Sequence, residues 1–236
     1  MNARQILSGL GWSAVATVVA AVCQFAFMAT LARLLDPGAF GLMAMAAIAL
    51  RFAGFFAQMG FAQAIVQRPQ LTPQDTTAAL VMALGSGSVL CVAMVLAAPV
   101  FAQGFRTVEL SGLISVLAVS LLLTALGALP LALLRRQARF KRAALVEVFC
   151  FVAGYGVVGI VCASRAMGVW SLVAATLSQQ ALIIVVGFLA VRYPLAWPVS
   201  RSAVSGLWAY GSRHSVIGFL EFLWANVESM IIGRSL

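Results

Sequence analysis

The sequence predicts an all-α protein: a polytopic integral membrane helix bundle of about seven transmembrane helices. Three observations carry that expectation. The 236 residues are 63% hydrophobic and only 9% charged, with a mean hydropathy of +1.06, whereas soluble domains carry roughly a quarter charged residues. The apolar residues gather in runs of about 20, the length that crosses a hydrocarbon core as a helix. The basic residues, fourteen Arg and one Lys, collect between those runs instead of forming a face on a polar domain.

The first span covers residues 11–31. Met1 to Arg4 ahead of it give the outline of a signal peptide, but the run outlasts an h-region of about 7–15 residues and reads as a retained signal anchor. Ser13, Thr17 and Gln24 fall on one helical stripe, which serves either helix packing or the lining of a cavity. Arg33 and Asp36 can pair at the helix end, where Pro37-Gly38 breaks the helix. The second span, 43–66, holds Arg51, Gln58 and Gln63. A central Arg costs about 2.5–3.5 kcal/mol on insertion scales, so Arg51 is expected to face water, a partner or a substrate. Gln58 lies two turns away on the same face. If the helix starts nearer Ala46, Arg51 instead snorkels to the interface.

Residues 67–77 form a short polar loop in which Pro73, Asp75 and Thr76 suit the start of a helix. The third span, 78–101, contains Gly85-Ser86-Gly87-Ser88, small enough for close approach between helices. A turn over 103–109 leads to the fourth span, 113–133, with Pro130 near its end. The stretch LRRQARFKRAALVE at 134–147 then packs Arg135, Arg136, Arg139, Lys141 and Arg142 into eight residues. In a soluble domain it would suggest a nucleic-acid patch, but no solvated basic face exists here to bind a duplex. Between two apolar runs it reads as a cytoplasmic basic loop that fixes orientation and touches membrane lipids, at about 1 kcal/mol per basic residue.

The fifth span, 146–162, contains Gly154-Tyr155-Gly156-Val157-Val158-Gly159, a formal match to G-x-G-x-x-G. A dinucleotide site needs a preceding strand and a βαβ unit, so the glycines are read as helix-packing positions. Gln179 and Gln180 sit near the middle of the sixth span, 169–191; such amides bond a neighbouring helix or meet a polar ligand. Residues 192–213 mix Arg and Pro with Trp197, Trp208 and Tyr210 and suit a cytoplasmic amphipathic connector at headgroup level. In the seventh span, 215–232, Glu221 and Glu228 continue a seven-residue spacing from His214, with Asn226 on another side. Two carboxylates on one stripe are expected to face a cavity or a neighbouring helix and not lipid.

Cys23, Cys91, Cys150 and Cys162 lie in or beside apolar runs, and His214 is the only histidine. No metal site, cofactor motif or catalytic constellation is expected from such material. With a cytoplasmic N-terminus, ten basic residues fall on the cytoplasmic side against Arg33, Arg106, Arg165 and Arg234 outside, which is the orientation the positive-inside rule selects. Arg33-Leu34-Leu35 after the first span is echoed by Arg234-Ser235-Leu236 after the seventh, and transporters commonly consist of repeated halves. The chain is therefore expected to hold an N-terminal bundle of about six helices over 1–191, the connector over 192–213, and the first helix of a truncated second bundle over 214–236.

Residues 31–41, LARLLDPGAFG, and 59–67, MGFAQAIVQ, resemble the N-terminal signature of the polysaccharide transporter family. These are lipid-linked oligosaccharide flippases of the O-antigen and exopolysaccharide type within the multidrug/oligosaccharidyl-lipid/polysaccharide exporter superfamily. Residues 226–234, NVESMIIGR, resemble the family's seventh-helix pattern, with Glu228 where Asp is more usual. The resemblance implies two helix bundles around a cavity that opens alternately to each side of the bacterial inner membrane. It implies a cargo of undecaprenyl-diphosphate-linked oligosaccharide and, as a further partner, polysaccharide polymerase machinery. A diphosphate needs a cationic or hydrogen-bonding path, for which Arg51, Gln58, Gln24, Gln179 and Gln180 are candidates, with the basic loop as a second place to meet it at the cavity mouth. Two alternatives stand beside this reading. A multidrug/cation antiporter needs carboxylates deep in the first bundle, and a polyprenyl-phosphate sugar transferase needs a clustered acidic metal site; Asp36, Asp75, Glu109 and Glu147 are scattered.

Overall fold

The computed structural model describes residues 3–57, 64–66 and 71–191, with the backbone alone at 3–16, 52 and 55–57. Gln58, Gln63, the 192–213 connector, His214, Glu221, Asn226 and Glu228 lie outside the described residues. Within them the protein is helical, without a strand. Five stretches are long and apolar enough to cross a membrane: Thr17–Leu34, Pro73–Gly104, Glu109–Arg136, Phe140–Ser164 and Val169–Val191. A shorter apolar stretch, Pro37–Arg51, belongs to a helix that runs on to Ala57.

Helix α1, Ala3–Leu34, is followed almost at once by α2, Pro37–Ala57. The expected break at Pro37-Gly38 is confined to Leu35 and Asp36, and α2 begins six residues ahead of the expected Met43. The reason is local. Pro37 occupies the first helical position, where a missing N–H costs nothing, and the Asp36 carboxylate accepts from the Gly38 N–H at 2.8 Å. Asp36 thus caps α2.

Helix α3, Pro73–Gly104, starts with a reciprocal cap: Thr72 Oγ1 accepts from the Asp75 N–H at 3.2 Å, and Asp75 Oδ2 accepts from the Thr72 N–H at 3.0 Å. This is the helix start expected from Pro73 and Asp75. The fourth span consists of α4, Glu109–Leu117, and α5, Val119–Arg136, joined at Ala118. The fifth consists of α6, Phe140–Phe151, a π-helical segment, Val152–Gly159, and α7, Ile160–Ser164. The sixth is α8, Val169–Val191, with the limits the hydropathy pattern predicts.

Three of the turns share one backbone solution. Thr107, Arg139 and Met167 each donate an N–H five residues back, to Ala102, Leu134 and Cys162, while Arg106, Ala138 and Ala166 donate three residues back. The middle residue of each turn has positive φ, 53° at Arg106, 53° at Ala138 and 58° at Ala166. This is the Schellman ending that glycine usually supplies. Its tightness shortens the expected basic loop to Gln137–Arg139, with the rest of the cluster on the helix ends.

The core is built from small residues. Ala46, Ala49 and Ala53 give α2 a buried stripe, and Ala78, Ala79, Ala83, Ala98 and Ala102 are buried on α3. Helices in lipid gain little from hydrophobic burial against one another, so they associate by close backbone approach. Glycines supply the closest points. A Cβ on Gly87 would lie 2.9 Å from the Leu122 backbone on α5, and one on Gly187 would lie 2.9 Å from the Pro130 ring. One on Gly154 would lie 2.7 Å from Gln179 Cβ and 2.9 Å from the Ala175 carbonyl on α8. The G-x-G-x-x-G stretch is therefore a helix-packing surface. Apolar side chains such as Phe25, Val89, Leu96, Val100 and Leu189 are exposed along the outside, as a lipid-facing surface requires.

Candidate functional site

Helices α3, α5 and α8 form the tightest part of the bundle, while α1 packs along α6, the π segment and α7 and makes no comparable contact with α5 or α8. The space left between α1, α5, α6 and α8 is a cavity of about 620 Å³. Thr17 and Gln24 enter it from α1, Arg135 from the last turn of α5, Phe140, Glu147 and Phe151 from α6, and Gln179 from α8.

The charged end is an ion pair. Arg135 Nη2 donates to Glu147 Oε1 at 2.7 Å across the Gln137–Arg139 turn, with both side chains about half exposed, 53% and 43%. Among the described lining residues Arg135 is the one cation and Glu147 the one anion. Its neighbour in sequence does something different: Arg136 Nη1 donates to the carbonyls of Ile65 at 2.6 Å and Val66 at 3.3 Å, tying α5 to the helical residues 64–66. Arg139, Lys141 and Arg142 are exposed at the same end of the bundle. The five-residue cluster is thus divided into a cavity residue, a structural tie and an exposed basic rim.

Further along the cavity the wall becomes amide and aromatic. Gln24 and Gln179 face it from different helices, beside Phe151. The Phe151 ring stacks on Tyr155 with centroids 5.1 Å apart and meets Phe27 of α1 at 5.9 Å. Thr176 donates to the Leu172 carbonyl at 2.8 Å and lies 2.9 Å from the Tyr155 hydroxyl, so Tyr155 is the donor in that pair. The aromatic column is thereby fixed to both α1 and α8. The π segment beneath it carries the three glycines, and a Cβ on Gly156 would lie 2.7 Å from the Phe27 ring. Segments of this kind are frequent at functional sites.

Of the residues singled out in the sequence, the cavity brings together Thr17, Gln24, Arg135 and Gln179. Gln180 is half-buried and is not among the lining residues, and Arg51 is exposed on the side of α2 away from its buried alanine stripe. Glu147, Phe140 and Phe151 carry no sequence signal for this role. They read as the edge and interior of an apolar run, and only the hairpin turn sets Glu147 against Arg135. Among the described residues no three His, Cys, Asp or Glu side chains gather as metal ligands would.

Among the described residues, an apolar exterior, five helical stretches long and apolar enough to cross a membrane and a polar cavity between helices define a multi-pass membrane protein. The chain belongs to the polysaccharide biosynthesis protein family, whose pattern matches residues 30–236, in agreement with the polysaccharide transporter resemblance of 31–41, 59–67 and 226–234. It is 22% identical over 231 residues to the lipopolysaccharide biosynthesis protein WzxC of Escherichia coli K12, covering 98% of this chain and 47% of that protein. It is 24% identical over 236 residues to the teichuronic acid biosynthesis protein TuaB of Bacillus subtilis 168, covering 98% of this chain and 48% of that protein. An uncharacterized membrane protein in the cps region of Klebsiella pneumoniae is 25% identical over 144 residues, 61% of this chain and 30% of that protein. The chain thus spans about half the length of the first two relatives. No solved structure matches it.

Proposed function

We propose that the chain forms one bundle of a carrier that moves an undecaprenyl-diphosphate-linked oligosaccharide across the bacterial inner membrane for surface polysaccharide synthesis. The observation that carries this reading is the polarity gradient of the cavity: a guanidinium at one end, then two carboxamides beside an aromatic ring. A diphosphate is matched by the planar donors of Arg135, and sugar hydroxyls and ring faces by Gln24, Gln179 and Phe151. The prenyl tail remains in lipid outside α1. A cavity of about 620 Å³ accommodates the diphosphate and the first sugars; a facing bundle would cover the rest, and rocking of the two would alternate access.

Family membership and the relatives' names support a role in polysaccharide biosynthesis. A cation antiporter is less well served, because Glu147, the one carboxylate among the described cavity residues, is already engaged by Arg135. A metal-dependent transferase is less well served too. Asp75 is buried in the α3 cap and Asp36 caps α2, so neither is free to hold a divalent ion with Glu147.

In cells whose surface polysaccharide depends on this protein, Arg135→Gln and Gln179→Leu are each expected to lower display at least about tenfold, with membrane abundance unchanged. Normal display at equal abundance would remove the cavity from the mechanism. We further propose that the Gln137–Arg139 turn faces the cytoplasm, on the strength of the exposed Arg139, Lys141 and Arg142 beside it. In a background without the four native cysteines, Ala138→Cys should react with an impermeant maleimide only after cell lysis, and Ala166→Cys in intact cells. The reverse pattern would invert the topology.

A further inference from the structure

We propose that Glu147 acts as an internal stand-in for the cargo's anionic group: it holds Arg135 while the cavity is empty and is displaced when a diphosphate arrives. This inference rests on the carrier reading above and specifies how the same site is regulated. Arg135 is the one cation among the described lining residues, so the anionic group has a single charged place to dock within them. That place is occupied by a carboxylate at 2.7 Å. The pair crosses the short Gln137–Arg139 turn, from the last turn of α5 to the eighth residue of α6, so the fold presents the carboxylate to the guanidinium without ordering a loop.

The strength of the contact suits exchange. Both partners are about half exposed, and a solvated pair of this kind shifts an equilibrium by only a few-fold. A diphosphate offers more charge and several acceptor oxygens to the same fork of donors, so it outcompetes a single carboxylate. A buried pair would have locked Arg135, and an unpaired Arg135 would leave an uncompensated cation at the membrane edge to hold phospholipid headgroups or inorganic phosphate. Glu147 therefore sets a threshold: weakly bound anions leave the pair intact, and a prenyl diphosphate opens it.

The test is a double-mutant cycle on the purified protein in nanodiscs, with binding of farnesyl diphosphate, a short-chain prenyl diphosphate, measured by calorimetry. Glu147→Gln is expected to tighten binding about two- to fivefold, and Glu147→Ala, which removes the carboxylate altogether, should do the same. Arg135→Gln is expected to weaken it at least about tenfold. The decisive arm is Arg135→Gln with Glu147→Gln. Exchange requires that Glu147→Gln give no gain once Arg135 is gone. The same several-fold gain in that background would mean that Glu147 merely adds a repulsive field, and the exchange would be overturned. Unchanged affinity in Glu147→Gln and Glu147→Ala, with Arg135→Gln still weak, overturns it as well while leaving the carrier reading in place. No binding by the wild type, or no loss in Arg135→Gln, overturns the diphosphate cavity itself. A parallel titration with inorganic phosphate should show the same several-fold gain in Glu147→Gln, since any anion that takes Arg135 must displace the carboxylate; no gain for phosphate beside a gain for the diphosphate would overturn the exchange.

Discussion

Gly154 and Gly156 stand two residues apart in the π segment and meet two different parts of the molecule. Gly154 is pressed against the backbone of α8, with the Ala175 carbonyl and Gln179 Cα each 2.9 Å from where a Cβ would lie. Gly156 is covered by the tip of one side chain, the Phe27 ring of α1. The first contact belongs to the packing of the π segment on α8, where backbone meets backbone and little can yield. The second belongs to the α1 face, where a ring bridges a gap that elsewhere stays open as the cavity. One glycine-rich stretch thus fastens to α8 on one side and to α1 on the other, and the difference lies in what each glycine meets.

Substitutions can break that contrast, and the largest effect is expected at Gly154. Gly154→Leu must displace the α8 backbone and should abolish the monodisperse folded protein in size-exclusion chromatography, whereas Gly85→Leu, with no atom within 4 Å, should leave it unchanged. Gly156→Ala should cost less than Gly154→Ala, which is expected to lose about 1–3 kcal/mol, because only the Phe27 ring has to turn. Equal losses in a thermal-shift assay would erase the distinction between the two faces. Next comes Arg136→Ala, which removes a charged donor from the Ile65 and Val66 carbonyls and should cost about 1.5–3 kcal/mol without altering ligand affinity. A matched fall in affinity would place Arg136 in the cavity's work alongside Arg135. The smallest effect expected is a gain: Ala138→Gly relieves the left-handed turn residue and should stabilise by up to about 1 kcal/mol. A loss there would mean that the Ala138 methyl makes a contact worth more than the backbone strain.

Much of the scaffold was legible before any coordinates. Span lengths follow from hydropathy because lipid leaves the backbone no partner but itself, and the sixth span came out at 169–191 in both views. The Pro73 and Asp75 helix start was legible because capping is a short-range contact between Thr72 and Asp75. Hydropathy puts the start of α2 six residues late, because Pro37-Gly38 reads as a break whereas Asp36 caps the helix and Pro37 opens it. The site was only partly legible. Thr17 and Gln24 share a stripe that periodicity exposes, and the Gln179-Gln180 pair is conspicuous in an apolar run, but periodicity has no means of choosing Gln179 over Gln180. Arg135 is one of five neighbouring cations, which sequence alone does not tell apart.

What the sequence determined by itself was therefore a set of local quantities: the long apolar stretches, the Pro73 and Asp75 helix start, the small residues that let helices touch, and the family. What only the tertiary structure decided was which polar groups share a space. Gln24, Arg135, Glu147 and Gln179 belong to four helices, and their meeting depends on α1 following the α6 span and standing off from α5 and α8. Covalent spacing sets the pitch and length of each helix over a few residues. The gap between helices is set by how closely glycine and alanine let each pair approach, and that is a property of pairs of surfaces.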